Sequence, residues 1–320
     1  MNHYEMLRNV SRTFSLSIEK LPSVLRDTIT IAYLLFRIAD CIEDHSTIDA
    51  DRKAYLLRLW SDILTGNRPP HDLTVQLKDL DDKDPEVYLA CHADSVIAYL
   101  DTIPGQLRGI VTAHASETAE GMARWQEQGP FVATEEEMDD YMHQVAGRVG
   151  YLLTEIFSWY SPVIQQKRTS LLHLGREFGL GLQTVNIIRG LRKDYERGWV
   201  FVPATFFEQN GLTREAFFDN NKGDKALSVI NLVIEKAKRH LDNGLAYITL
   251  LPRNERRIRL ACIWPLLFAV KTLALSRNNL DVVTSETKMT RPQVKNIVLV
   301  SSLLYWSNTA LKNYYRHLEA

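Results

Sequence analysis

Cysteine is scarce in this sequence. Cys41, Cys91 and Cys262 are the only three in 320 residues, too few and too far apart for a disulfide framework or a zinc site. They read as buried thiols of a reducing compartment. Net charge is scarce as well: 38 Lys and Arg meet 39 Asp and Glu, leaving -1. Such a balance gives no general attraction to nucleic acid, and no nucleic-acid partner is expected. With 45% apolar residues the chain is also far from the composition of a disordered protein. Long apolar runs are missing. The longest, Leu260–Val270, is interrupted by Pro265, is followed by Lys271 and falls short of the roughly 20 residues of a membrane span. Met1–Arg12 is polar and lacks the apolar stretch of a signal peptide. There is no alternation of strands with helices, no internal repeat and no linker-like shift of composition. The expectation is a cytoplasmic protein, with a peripheral membrane contact left open and nothing that sets an oligomeric state.

Helical periodicity fills the chain. Apolar residues recur at three- and four-residue spacing over Leu21–Asp44, Ala50–Leu64, Pro85–Asp101, Gln106–Trp125, Glu135–Trp159, Pro162–Lys193, Lys225–Leu250, Glu255–Arg277 and Arg291–His317. Pro104, Pro162 and Pro292 stand where a first helical turn tolerates a missing N–H. Thr134 and Glu137 have the spacing of a capping box. Trp199–Val202, ended by Pro203, is the one strand-like run. The pattern predicts an all-α helical bundle of nine or ten helices, a single domain over residues 1–320, with its middle free for a central cavity.

Two of these helices carry acids beside apolar faces. Asp40, Glu43 and Asp44 lie three and four residues apart, so one helical face can hold all three. Acids so close repel one another unless a cation sits among them. All-oxygen ligands suit Mg²⁺, which binds one or two carboxylates together with substrate phosphates. The competing reading is an exposed acidic helix end beside Arg37. On the second helix Asn186, Gly190 and Asp194 share a face, with Gln183 one turn earlier and Arg189, Arg192, Lys193 and Arg197 around them. Carboxylate for metal and guanidinium for phosphate oxygens would together suit a diphosphate. The competing reading here is a polar helix end whose cations offset the helix dipole. Facing each other, the two could hold Mg²⁺ and clamp a diphosphate so that its bond to carbon ionises. An aromatic-lined cavity would shelter the resulting cation. Phe36, Tyr141, Phe157, Phe178 and Trp264 are candidate walls or ordinary core.

With these residues in view, the chain resembles the squalene/phytoene synthase family over roughly residues 6–275. Four blocks carry the resemblance: Ser11-Arg12-Thr13-Phe14; Arg37 with Asp40-Cys41-Ile42-Glu43-Asp44; Tyr141-Met142-His143-Gln144-Val145-Ala146-Gly147-Arg148-Val149-Gly150; and Gln183 with Asn186–Arg189, continuing through Asp194 to Arg197–Pro203. The resemblance implies an isoprenoid synthase-type fold and head-to-head joining of two prenyl diphosphates, farnesyl diphosphate foremost. A cyclopropyl diphosphate would then give squalene or a related precursor. It implies Mg²⁺ on Asp40, Glu43, Asp44, Asn186 and Asp194, and diphosphate held by Arg12, Arg37 and Arg189. Tyr141 would stand near the reacting carbons. A product of squalene would add NADPH, with Lys288 and Arg291 in the region of the cofactor.

The sequence departs from the family at Gly190, where the second motif carries its first aspartate. A glycine there removes one carboxylate and costs about 1 kcal/mol of helix stability relative to alanine. Three outcomes stay open at this point. The enzyme works with altered metal occupancy. It has a changed outcome, stopping at the cyclopropyl diphosphate or acting on a single prenyl diphosphate. Or it is a non-catalytic binding relative, which the intact Asp40–Asp44 set argues against. Arg148 is a further departure and would either supply a phosphate contact or point to solvent.

Overall fold

A computed structural model describes residues 2–11, 14–219 and 223–320. Arg12 therefore lies outside the described residues. Among those described, α-helices alternate with one π-helical turn, one 3-10 turn and short loops. Packing divides the chain into two compact units: Met1–Gly129 with Tyr151–Gln166, and Pro130–Gly150 with Lys167–Ala320.

The first unit is built round the helix Ser23–Asp44, which packs on Ala50–Leu64, Pro85–Cys91 and Gly105–Gln128. It is apolar almost all round, with Leu25, Ile31, Leu34, Leu35 and Ile38 fully enclosed, as a central helix must be. Some of the polar groups at these contacts pair with one another or with backbone. The Trp60 indole donates to the Leu35 carbonyl at 3.2 Å, and the Ser61 and Ser116 hydroxyls meet at 2.8 Å.

In the second unit the long helices Arg168–Glu196 and Gly223–Leu250 pack along each other. Against the first lies the turn His143–Gly147, a π-helix between Glu135–Met142 and Arg148–Tyr160. Glycine makes this approach possible: a β-carbon on Gly150 would lie 2.0 Å from the Gly175 carbonyl oxygen, and one on Gly179 2.3 Å from that of Ala146. Arg256–Ser276 is long and apolar enough to cross a membrane by composition, but most of it is buried inside this unit.

Several helices break where the periodicity runs on. Pro85–Asp101 becomes Pro85–Cys91 and Ala93–Leu100, and Arg291–His317 becomes Arg291–Leu304 and Asn308–Glu319. The second break has a visible cause. The guanidinium of Arg259, wholly buried, donates to the carbonyls of Tyr305, Ile248 and Leu251 and to the Asn308 side chain. Trp199–Val202 is no strand. Val200 makes an isolated parallel bridge to Phe131, and its N–H donates to the Pro130 carbonyl at 3.0 Å. Thr134 accepts from the Glu137 N–H as a cap should, but the Glu137 carboxylate takes the Ala133 N–H and leaves the box half made. All three thiols are free. Cys41 and Cys262 are buried, with burial pushing each up to about 12.

Candidate functional site

The first acidic face ends the helix Ser23–Asp44. Arg37 donates to the Tyr33 hydroxyl at 2.8 Å and stands 3.5 Å from both the Asp40 and the Glu86 carboxylates. Burial alone would make its charge costly, but Asp40, Tyr33 and Glu86 hold the guanidinium firmly protonated. Asp40 is pushed up to about 6. Burial is the main cause, Arg37 opposes it, and the like charges of Asp44 and Glu86 add to it. Its side chain nonetheless keeps 34% of its surface open to solvent. Asp44 is exposed and Glu43 buried, so the three acids divide between solvent and core. Glu86 was not foreseen. It comes from the first turn of Pro85–Cys91, whose N-cap Asp84 accepts its N–H at 2.7 Å.

The second face lies near the end of Arg168–Glu196. Asn186 is exposed and donates to Gln183 at 3.3 Å. Asp194 is bound by Arg197 at 2.6 Å. Its carboxylate also folds back over Gly190, where a β-carbon would come within 3.0 Å of Oδ2. The glycine thus does more than remove an acid, since it makes room for the one that remains. Arg189 is ion-paired with Glu286, which also accepts from Lys288 at 2.8 Å. Burial works against the Glu286 charge, yet Lys288 and Arg189 hold its carboxyl below the usual range. Glu286 thereby joins two residues that the sequence kept apart, Arg189 and Lys288. Arg291 is exposed at the start of its helix, behind a capping box of Thr290 and Gln293.

Tyr141 is buried and stacks on Phe201 with ring centroids 4.3 Å apart, and Trp199 stacks on the other ring. The π turn begins two residues later, an irregularity that recurs at functional sites. The helix bearing Tyr141 is fastened by charge. Lys236, almost wholly buried, meets Asp139 at 2.6 Å and Glu135 at 3.1 Å, and His240 meets Glu177 at 2.8 Å. Burial disfavours the imidazolium, but Asp139 and Glu177 hold it above its ordinary range. Arg148 is half-buried and donates to Gln144, which donates to Asp140, each at 3.0 Å. The aromatic candidates Phe36, Phe157, Phe178 and Trp264 are all buried.

Among the described residues no three His, Cys, Asp or Glu side chains gather as a ready metal cage. The donor chemistry at Asp40 still fits a divalent cation. Burial and then the neighbouring acids raise its carboxyl, and a cation would favour its charged form. At Asp194, Arg197 already supplies the positive charge.

Residues 7–295 match the squalene/phytoene synthase family model. The chain belongs to the squalene/phytoene synthase family. It is 29% identical over 304 residues to the squalene synthase of Schizosaccharomyces pombe, covering 93% of this chain and 64% of that protein. It is 26% identical over 306 residues to the squalene synthase of Homo sapiens, covering 92% and 68%. A solved complex of TcSQS with the ligand BPH1237 superposes with a TM-score of 0.84 at 26% identity, over 99% of this chain and 90% of that one. The chain spans about half to two thirds of the length of the first curated relatives it matches. Family membership accounts for the all-α architecture and for the order of the four sequence blocks.

Proposed function

We propose that this protein joins two molecules of an allylic prenyl diphosphate head to head, with farnesyl diphosphate as the first candidate. The product would be squalene or a related precursor, reached through a cyclopropyl diphosphate. The observation that carries this reading is the acidic face at Asp40 and Asp44 beside Arg37, in a chain of this family. On the first acidic face Asp40 and Asp44, with Glu43 assisting, would hold Mg²⁺; on the second motif helix the candidate ligand is Asp194, with Asn186 assisting. When bound, Mg²⁺ would neutralise the leaving diphosphate. Arg37 and Arg189, with Arg12, grip diphosphate oxygens. For Arg189 this means exchanging the Glu286 carboxylate for phosphate, a like-for-like replacement of one oxyanion by another. Tyr141, locked by its ring stack, borders the reacting carbons. Lys288 and Arg291 would serve NADPH where the product is squalene.

The test is incubation with labelled farnesyl diphosphate and Mg²⁺, with and without NADPH, followed by product extraction, then the same with geranylgeranyl diphosphate. Squalene that forms only with NADPH would establish the full reaction. An accumulating cyclopropyl diphosphate would mark an enzyme that stops halfway. No turnover of either substrate would refute the proposal.

A further inference from the structure

The helix Glu135–Met142 carries five acids in its 8 residues, and the other three, Met138, Tyr141 and Met142, are all buried. Apolar burial is non-directional, so alone it would leave so short a helix free to turn or slide. The helix packs on Arg168–Glu196 and on the π turn that follows it. Toward Gly223–Leu250 it is joined by long charged side chains. Lys236, Arg239 and His240 stand three and four residues apart on that helix, and Glu135 and Asp139 stand four apart on the short one, so each set shares a face. Lys236 reaches Glu135 at 3.1 Å and Asp139 at 2.6 Å. Arg239 reaches Glu135 at 2.6 Å. His240 lies between Glu177 of Arg168–Glu196, at 2.8 Å, and Asp139, at 3.6 Å.

Within this clasp Lys236 stands out. Its side chain is 1% exposed, while Glu135 and Asp139 keep 36% and 32%. An apolar side chain of similar size would bury more easily at this position and would fill it as well. What it would lack is a charge to hold a carboxylate in one place. The carboxylate held most closely, that of Asp139, lies two residues before Tyr141, whose ring is stacked on Phe201.

We propose that Lys236 is a positioning residue for Tyr141: through Asp139 it fixes the short helix and so sets the place of the tyrosine ring. That this ring borders the reacting carbons rests on the function proposed above, whereas its placement by Lys236 does not. Where both hold, Lys236 governs the chemical step without touching substrate, because a misplacement of about 1 Å caused from afar can cost about a hundredfold in rate.

The experiment labels the full chain with fluorotyrosine and assigns Tyr141 as the fluorine NMR line lost in Y141F. K236M, D139N and the double variant are then compared with wild type, in spectra and in turnover of farnesyl diphosphate with Mg²⁺. K236M strands neither acid, since Arg239 remains on Glu135 and His240 on Asp139, so its circular dichroism melt should match wild type. The Tyr141 line should shift or split in both single variants. Their kcat should fall about tenfold to a hundredfold with KM within about twofold, because the grip on diphosphate is untouched. The double variant should lose no more than either single one, as residues that act as a unit do. An unmoved Tyr141 line in K236M and D139N would overturn the proposal whatever the reaction. So would a moved line with unchanged kcat, or a loss that sits in KM. Should K236M melt early, D139N, whose site is partly open to solvent, decides by the same measures. Wild-type protein that turns over neither farnesyl nor geranylgeranyl diphosphate would refute the reaction, and the spectra would still decide the placement.

Discussion

Asp40 and Asp194 both sit near the ends of long helices, yet their surroundings treat them in opposite ways. Asp40 has a loose arginine at 3.5 Å, shared with Glu86, and its own neighbours include further acids. Asp194 has an arginine of its own at 2.6 Å and a glycine beneath it that lets it fold down. Burial raises the first carboxylate to about 6 against the pull of Arg37, and the charges of Asp44 and Glu86 add to the rise. The second is already neutralised by the chain. An aspartate can therefore survive at both places while only one of them stands ready for an added cation.

The largest expected effect tests the readier face. Asp40→Asn should lower turnover of farnesyl diphosphate about a hundredfold to a thousandfold at saturating Mg²⁺, the scale of losing one group that stabilises developing charge. Activity within twofold of wild type would erase the contrast. Next comes Gly190→Asp, which restores an acid and presses Asp194 off its resting place. The Mg²⁺ concentration for half-maximal rate should fall about fivefold, which corresponds to about 1 kcal/mol for a charge at contact distance in water. An unchanged titration would leave the glycine without a role in metal binding.

The third prediction concerns pH in metal-free buffer. The carboxyl of Asp40 is raised from 3.8 to about 6, so the folded state holds its proton more tightly than the unfolded one. The stability this confers is complete below about 3.8 and is lost as pH rises through about 6. Asp40→Asn should therefore gain on wild type across that window, by about 1 kcal/mol once the open side of the residue is allowed for. Denaturant melts at pH 4 and pH 7.5 would show it, and a constant difference would refute it. The smallest effect is at Glu286. Glu286→Gln should release Arg189 and Lys288 and lower the KM for substrate about twofold, since a half-exposed ion pair is worth less than about 1 kcal/mol. A raised KM would instead mean that Glu286 positions Arg189 for substrate.

The long helices were legible because each buries a continuous apolar face, and Ala50–Leu64 was placed to the residue. The breaks were not. Between Leu304 and Asn308 no proline or glycine interrupts the pattern, and the interruption is imposed by Arg259, far away in sequence. Helices of five or six residues, such as Ala204–Gln209, are too short to show a period. At the candidate site the acids and arginines stood in recognisable blocks. Glu86 and Glu286 did not, because each enters through an ion pair from another part of the chain. Gly190 was visible as a missing acid, but only the fold shows Asp194 lying across it.

Arg259 has a further consequence. Its donors go to the end of one helix, to the turn at Tyr305 and to the first residue of the final helix, and no carboxylate shares the load. Together with the Tyr315 hydroxyl on Asp242 and the Asn308 amide on the Thr249 carbonyl, it fastens the last thirty or so positions to the body of the second unit. Remove it, and the two C-terminal helices should exchange their amide hydrogens together as one locally opening unit, well ahead of global unfolding.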